Sequence, residues 1–117
     1  ELRNQVNNRK YGKLIRDAKE YIQKHCGESD LSLNKVASTV NVSTNYFSSI
    51  FAQETGQTFT EYLTEKRMEV AKELLRCTNK KITEIGELAG YQDSHYFSYI
   101  FKKTQNCTPK EYRMKGI

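Results

Sequence analysis

Proline is nearly absent: the 117 residues contain one, Pro109. With a backbone donor missing at that single position, long uninterrupted helices are permitted almost everywhere. Cysteine is scarce and odd in number. Cys26, Cys77 and Cys107 lie far apart and form no CxxC, which argues against a disulfide framework or a zinc knuckle and makes a reducing cytoplasm the expected compartment. No apolar run approaches the roughly 20 residues that span a bilayer, and no signal peptide is visible, so no membrane partner is expected. Catalytic signatures are missing as well. There is no Gly-rich phosphate loop, no GxSxG and no HExxH. His25 and Cys26 are adjacent and so share no helix face, and His95 with Cys107 makes no metal spacing. No enzyme activity, cofactor or metal is expected. No alternating strand pattern competes with the helical spacing, which predicts an all-α fold of about seven helices.

What the chain does have is a repeat. Asn45-Tyr46-Phe47-Ser48-Ser49-Ile50-Phe51 returns as His95-Tyr96-Phe97-Ser98-Tyr99-Ile100-Phe101, a shift of 50 residues from Tyr46 to Tyr96. Thr58, Glu61 and Tyr62 recur at the same shift as Thr108, Glu111 and Tyr112. Upstream, Leu33, Val36, Ala37 and Val40 match Ile82, Ile85, Gly86 and Ala89 at a shift of 49. A turn between the matched segments would absorb the extra residue. Each repeat alone is too small for a comfortable core, so the halves are expected to lean on a common helix.

The spacing divides the chain into four parts. Residues 1–10 are polar and aperiodic, a linker or a frayed helix start. Residues 11–57 form a first helix–turn–helix, 58–78 a bridging helix and 79–117 a second helix–turn–helix. Leu14, Ile15, Ala18, Tyr21 and Ile22 define the first helix, with Gly27 suited to a left-handed stop. Ser32 caps the next helix, and Ser43 or Thr44 the one after, whose inward face is Phe47, Ile50 and Phe51. Gly56 stops it. Thr58 or Thr60 opens the bridge, lined by Tyr62, Leu63, Arg67, Val70, Ala71, Leu74 and Leu75. In the second repeat Gly90-Tyr91-Gln92 turns, Asp93 or Ser94 caps, and Phe97, Ile100 and Phe101 face inward. Asn106 stands where Gly56 stood, as the other residue that readily takes positive φ. Thr108-Pro109 opens a last helix. Tyr62 and Tyr112 read as packing residues, and Arg67 as structural.

A helix–turn–helix works when one helix props another into a major groove about 12 Å wide. The inserted helix needs one packed side and one side bearing hydrogen-bonding groups. Thr44, Asn45, Ser48, Ser49 and Ala52 point away from the first apolar face. Ser94, His95, Ser98, Tyr99 and Lys102 point away from the second. The base-reading candidates are therefore Thr44, Asn45, Ser48 and Ser49, with Ser94, His95, Ser98 and Tyr99. Asn45 suits adenine, His95 suits guanine or a phosphate, and Tyr99 suits a base edge or a thymine methyl. The phosphate-contact candidates are Ser43, Thr58, Lys80, Lys81, Lys102, Lys103, Thr108, Lys110 and Arg113. The formal net charge is +5 and the pI about 9.1, compatible with a polyanionic partner. The charge is uneven, because no Lys or Arg lies between Lys35 and Lys66. The second repeat should supply more of the salt-sensitive grip.

From about Tyr11 to Arg113 the pattern resembles the DNA-binding domain of the AraC/XylS family of bacterial transcriptional regulators. The resemblance rests on Ile82, Ile85-Gly86, Ala89-Gly90-Tyr91, Asp93-Ser94, Tyr96-Phe97-Ser98, Phe101-Lys102-Lys103, Thr108-Pro109 and Glu111-Tyr112-Arg113. Arg67, Ala71 and Leu74-Leu75 fit the family's bridge helix. It implies two reading helices in successive major grooves of double-stranded promoter DNA. It also implies transcription control, usually under an upstream sensor, receiver or dimerisation domain. RNA polymerase is a possible further partner. Opening at Glu1, the chain is expected to be a piece of a longer protein or a processed product. Three positions depart from the family: Gly86 where Ala is usual, Asn106 where Gly is usual, and Tyr99 where a basic residue is common. Gly86 should loosen its helix by up to about 1 kcal/mol relative to Ala.

The bridge should space the reading helices by about one DNA turn, roughly 34 Å. A rival reading is a helical protein-interaction module contacting polymerase or a partner regulator, with Tyr91 and Tyr99 exposed to serve it. A third is single-strand or RNA binding, with aromatic residues stacking on bases; it is weaker because the phenylalanines fall on core-facing positions.

Overall fold

A computed structural model describes the backbone of residues 2–115 and the side chains of residues 11–115. Seven helices and no strand occur among the described residues. They are α1 (Leu2–His25), α2 (Leu33–Thr39), α3 (Thr44–Thr55), α4 (Phe59–Cys77), α5 (Ile82–Leu88), α6 (Ser94–Gln105) and α7 (Pro109–Lys115). The backbone of α1 begins at Leu2, ahead of the periodicity that starts at Tyr11. Any reading of the side chains of residues 1–10 lies outside what is described. The chain divides into two compact units. One takes residues up to His25 with Leu31–Thr64; the other takes Cys26–Asp30 with everything from Glu65 onward.

The duplication is written in backbone hydrogen bonds. In the first unit Asn41 N donates to Ser38 O (3.1 Å) and Val42 N to Ala37 O (3.1 Å). In the second, Gly90 N donates to Glu87 O (3.0 Å) and Tyr91 N to Gly86 O (2.9 Å). These bonds keep the 49-residue shift. The caps that follow keep the 50-residue shift: Phe47 N donates to Ser43 O (2.9 Å) and Phe97 N to Asp93 O (3.0 Å). The extra residue is therefore Gln92, an exposed turn position between Tyr91 and Asp93. Asn41 (φ 63) and Gly90 (φ 106) turn the chain; Gly56 (φ 76) and Asn106 (φ 67) end α3 and α6 in the left-handed region.

The starts of α4 and α7 both carry a capping box, in which two orphan N–H groups are satisfied reciprocally. Thr58 N donates to Glu61 Oε1 (2.9 Å) and Glu61 N to Thr58 Oγ1 (3.1 Å). Thr108 N donates to Glu111 Oε1 (2.9 Å) and Glu111 N to Thr108 Oγ1 (3.0 Å). The aromatic interiors also repeat. Phe47–Phe51 centroids lie 5.4 Å apart, and Phe51 meets Tyr62 edge-on at 5.5 Å. Phe97–Phe101 lie 6.0 Å apart, and Phe101 meets Tyr112 edge-on at 5.7 Å. All four phenylalanines are fully buried, each stabilising by roughly 1.5–3 kcal/mol relative to exposure. In the second unit Met68, Ala71, Leu75, Ile85, Ala89 and Tyr91 complete the core.

Two glycine expectations are corrected. Gly27 has no positive φ; it is glycine because a Cβ there would lie 2.8 Å from Leu88 O. Gly86 is not merely a loosened helix position, since a Cβ would lie 2.9 Å from Phe97 Cδ2. The ring stands where a methyl would otherwise go.

Arg67 is 8 % exposed and ties the second unit together. Its Nε donates to Cys26 O (2.7 Å) and its NH2 nitrogen to Glu28 O (2.9 Å). Its guanidinium carbon lies 5.1 Å from the Tyr91 ring centroid. A Cβ on Gly90 would fall 2.6 Å from Arg67 Nε and 2.6 Å from Cys26 O.

Candidate nucleic-acid interface

Burial of Phe47, Ile50 and Phe51 fixes which side of α3 is left outside. Asn45, Ser48 and Ser49 are exposed there, while Thr44 is half-buried. Ser43 is the N-cap, its Oγ accepting from Tyr46 N at 3.1 Å. The Thr44 hydroxyl donates to Asn34 Oδ1, tying the start of α3 to α2. Thr44 is thus partly engaged within the fold. Asn45, Ser48 and Ser49 form the available set, beside Tyr46, which is also exposed.

On α6 the cap is Asp93, whose Oδ1 accepts from His95 N (2.9 Å) and Tyr96 N (3.3 Å). Ser94 and Ser98 are half-buried; His95, Tyr99, Lys102 and Lys103 are exposed. His95, Ser98, Tyr99, Lys102, Lys103 and Thr108 line one shallow groove. Residues 95, 98, 99 and 102 share a helix face by their spacing. Tyr99 is the most exposed tyrosine, at 58 %.

The electrostatics of the two faces differ. The last turn of α3 carries no basic residue, while that of α6 carries Lys102 and Lys103. Cations there complement the C-terminal end of the helix, and the Lys103 ammonium also lies 5.7 Å from the Tyr99 ring centroid. Lys110 and Lys81 are exposed, outside the groove. Lys80 is exposed and sits 3.8 Å from Glu84. An exposed pair of that length contributes little.

Three phosphate candidates are already committed elsewhere. The Arg113 guanidinium donates to Leu75 O (3.1 Å), Lys80 O (2.8 Å) and Thr78 O (3.1 Å). It closes carbonyls at and beyond the C-terminal end of α4, which a helix leaves unsatisfied. At Thr58 and Thr108 the N–H a phosphate would use already donates to the Glu61 or Glu111 carboxylate, while the hydroxyl oxygen accepts from the Glu61 or Glu111 N–H. The Thr108 N–H holds the Glu111 carboxyl below its ordinary pKa. A carboxylate so placed competes with an incoming phosphate.

Tyr91, expected outside, is buried, with 8 % of its surface exposed. Its ring sits 5.8 Å from Phe97 and under Arg67. This removes one support for a protein-docking reading. Tyr46 and Tyr96, outside the base-reading candidates, are exposed at 46 % and 50 %. The repeat itself held the signal, since the two occupy equivalent first-turn positions. Elsewhere, Arg76 NH1 donates to the Tyr112 hydroxyl (2.9 Å), a bond that raises the arginine's pKa. Burial raises the pKa of the Cys26 thiol. No group of His, Cys, Asp and Glu among the described residues could hold a metal, and no described helix is long and apolar enough to cross a membrane.

A family model described as a helix-turn-helix domain matches residues 36–115. The chain is similar to the arabinose operon regulatory protein of Salmonella typhimurium, 34 % identical over 99 residues that cover 85 % of this chain and 35 % of that protein. It spans 13 % to 35 % of the length of five of the curated relatives it matches. Among solved structures it is similar to the C-terminal domain of AraT, a response regulator from Geobacillus stearothermophilus. The TM-score there is 0.85 at 47 % identity, over 87 % of this chain and 84 % of that one. It shares the fold of the AdpA DNA-binding domain solved in complex with a target DNA, with a TM-score of 0.81 at 19 % identity over 86 % and 90 % of the chains. The motifs, the repeated turn-and-cap bonding and these likenesses agree: the chain belongs to the AraC/XylS family of helix-turn-helix transcriptional regulators.

Proposed function

We propose that this chain is the sequence-specific, double-stranded-DNA-binding part of a bacterial transcription regulator. α3 and α6 each enter a major groove, the two grooves being successive along a promoter. Asn45, Ser48 and Ser49 read one half-site. His95, Ser98 and Tyr99 read the other, with the half-buried Thr44 and Ser94 in supporting positions. Lys102, Lys103 and Lys110 take phosphates in the second half-site, with Lys80 and Lys81 at longer reach. Ser43 offers its amide neighbourhood in the first. The observation that carries this reading is the shared turn-and-cap bonding, which leaves an unpacked polar helix face outward in both units.

The length of the curated relatives supports a longer protein with an upstream sensing, receiver or dimerisation domain. We extend the proposal to that domain, to contact with RNA polymerase and to a cytoplasmic setting. In-vitro selection of duplexes on the 117-residue chain tests the DNA reading. Two non-palindromic motifs about one helical turn apart, roughly 10–10.5 base pairs, are expected in the enriched pool. A pool with no enrichment over the input overturns it.

A further inference from the structure

The two reading faces are built on one inner scaffold and differ most at one step. Where α3 has Ser49, α6 has Tyr99. That ring is 58 % exposed on the face it shares with His95, Ser98 and Lys102. It is also held in place. Tyr96 lies 6.3 Å away centroid to centroid, and the Lys103 ammonium 5.7 Å from the Tyr99 centroid. Tyr96 in turn lies 5.8 Å from buried Tyr91, itself 5.1 Å from the Arg67 guanidinium. The exposed ring is the outer end of a run of tilted ring contacts that reaches buried Tyr91. A ring supported in this way loses less side-chain entropy on binding than a free one.

A phenol presents two chemistries at once, an apolar ring and one O–H donor. In the major groove thymine is the base whose edge pairs a methyl group with an acceptor, O4. Cytosine offers a donor, guanine two acceptors without a methyl, and adenine an acceptor beside a donor. We propose that Tyr99 is the specificity-determining residue of the second half-site and selects thymine there, its ring on the C5 methyl and its hydroxyl on O4. The inference rests on the DNA-reading function proposed above and names what one position of it reads.

The test uses the selected duplex with each thymine of the second half-site replaced in turn by uracil, which removes only the methyl. Affinity of the 117-residue chain is followed by fluorescence anisotropy at fixed salt. One replacement should weaken wild-type binding about three- to fivefold, the scale of one buried methyl-sized group. Tyr99→Ala should bind the thymine and uracil duplexes equally. Tyr99→Phe, which keeps the ring, should retain the uracil penalty while binding both more weakly than wild type. Circular dichroism checks that each variant is folded. If every uracil replacement is neutral for the wild type, or Tyr99→Ala keeps the penalty, the thymine contact is overturned while the DNA reading stands. If the wild type binds a scrambled duplex as tightly as the selected one, both fall.

Discussion

Replacing Arg67 tests the second unit where its interior is polar. Arg67→Met keeps most of the stem's apolar volume and removes the planar fork. Two hydrogen bonds from a charged donor go, those to Cys26 O and Glu28 O, along with the stacking on Tyr91. Such bonds contribute about 1.5–3 kcal/mol each, and a desolvated cation–π contact about 0.5–2. Since Met recovers part of the packing, the net loss should be about 3–5 kcal/mol. For a chain of this size that corresponds to a fall in Tm of about 10–20 °C. Arg67→Lys should lie between wild type and Arg67→Met, because one ammonium does not reproduce a fork that spans two carbonyls. Urea unfolding followed by circular dichroism at 222 nm measures both variants, with the slope on urea checked against wild type. If Arg67→Met stays within about 1 kcal/mol of wild type, Arg67 is not the anchor described here.

A Lys102→Ala/Lys103→Ala double variant should lower the slope of log affinity against log salt by about 1.8, at about 0.9 per phosphate contact; an unchanged slope in a salt titration removes both residues from the phosphate grip. Gly86→Ala should fail to gain the roughly 1 kcal/mol that alanine normally adds inside a helix, because the new methyl meets Phe97 at 2.9 Å. A urea midpoint raised by the full propensity gain would show that the ring yields freely. Glu111 has a folded-state pKa lowered chiefly by the Thr108 N–H. Its contribution to stability is therefore complete above the ordinary glutamate value and is lost as pH falls through the lowered one. Comparing Glu111→Gln with wild type from neutral to acid pH should show the two stabilities converging at the acid end, and a constant gap would contradict this assignment.

The local grammar of the chain was legible because its signals act over a few residues. Ser32, Ser43, Asp93, Thr58 and Thr108 cap by bonding N–H groups two or three positions on, and such spacing is visible in a sequence. Gly56 and Asn106 mark helix ends through their own backbone preference. What escaped depends on residues far along the chain. Gly27 answers to Leu88 O and Gly86 to the Phe97 ring. Arg113 finds carbonyls 33 to 38 positions away. Tyr91 sits in a turn, where exposure is the ordinary expectation, yet Arg67 and Phe97 cover it. In the candidate site, the outward faces of α3 and α6 followed from the apolar period alone. The engagement of Thr44 with Asn34 and the exposed Tyr46 and Tyr96 did not.

The twin Phe–Phe–Tyr stacks have a consequence for how such a chain changes over generations. Each holds α3 or α6 from within, so the exposed side chains on the far side, Asn45, Ser48 and Ser49 on α3 and His95 on α6, lie outside the core. Ser49 and Tyr99 stand at equivalent places, yet one is a small hydroxyl and the other a supported ring. On the proposed DNA reading, single exchanges at those outer positions would alter one half-site at a time while the interior stays constant.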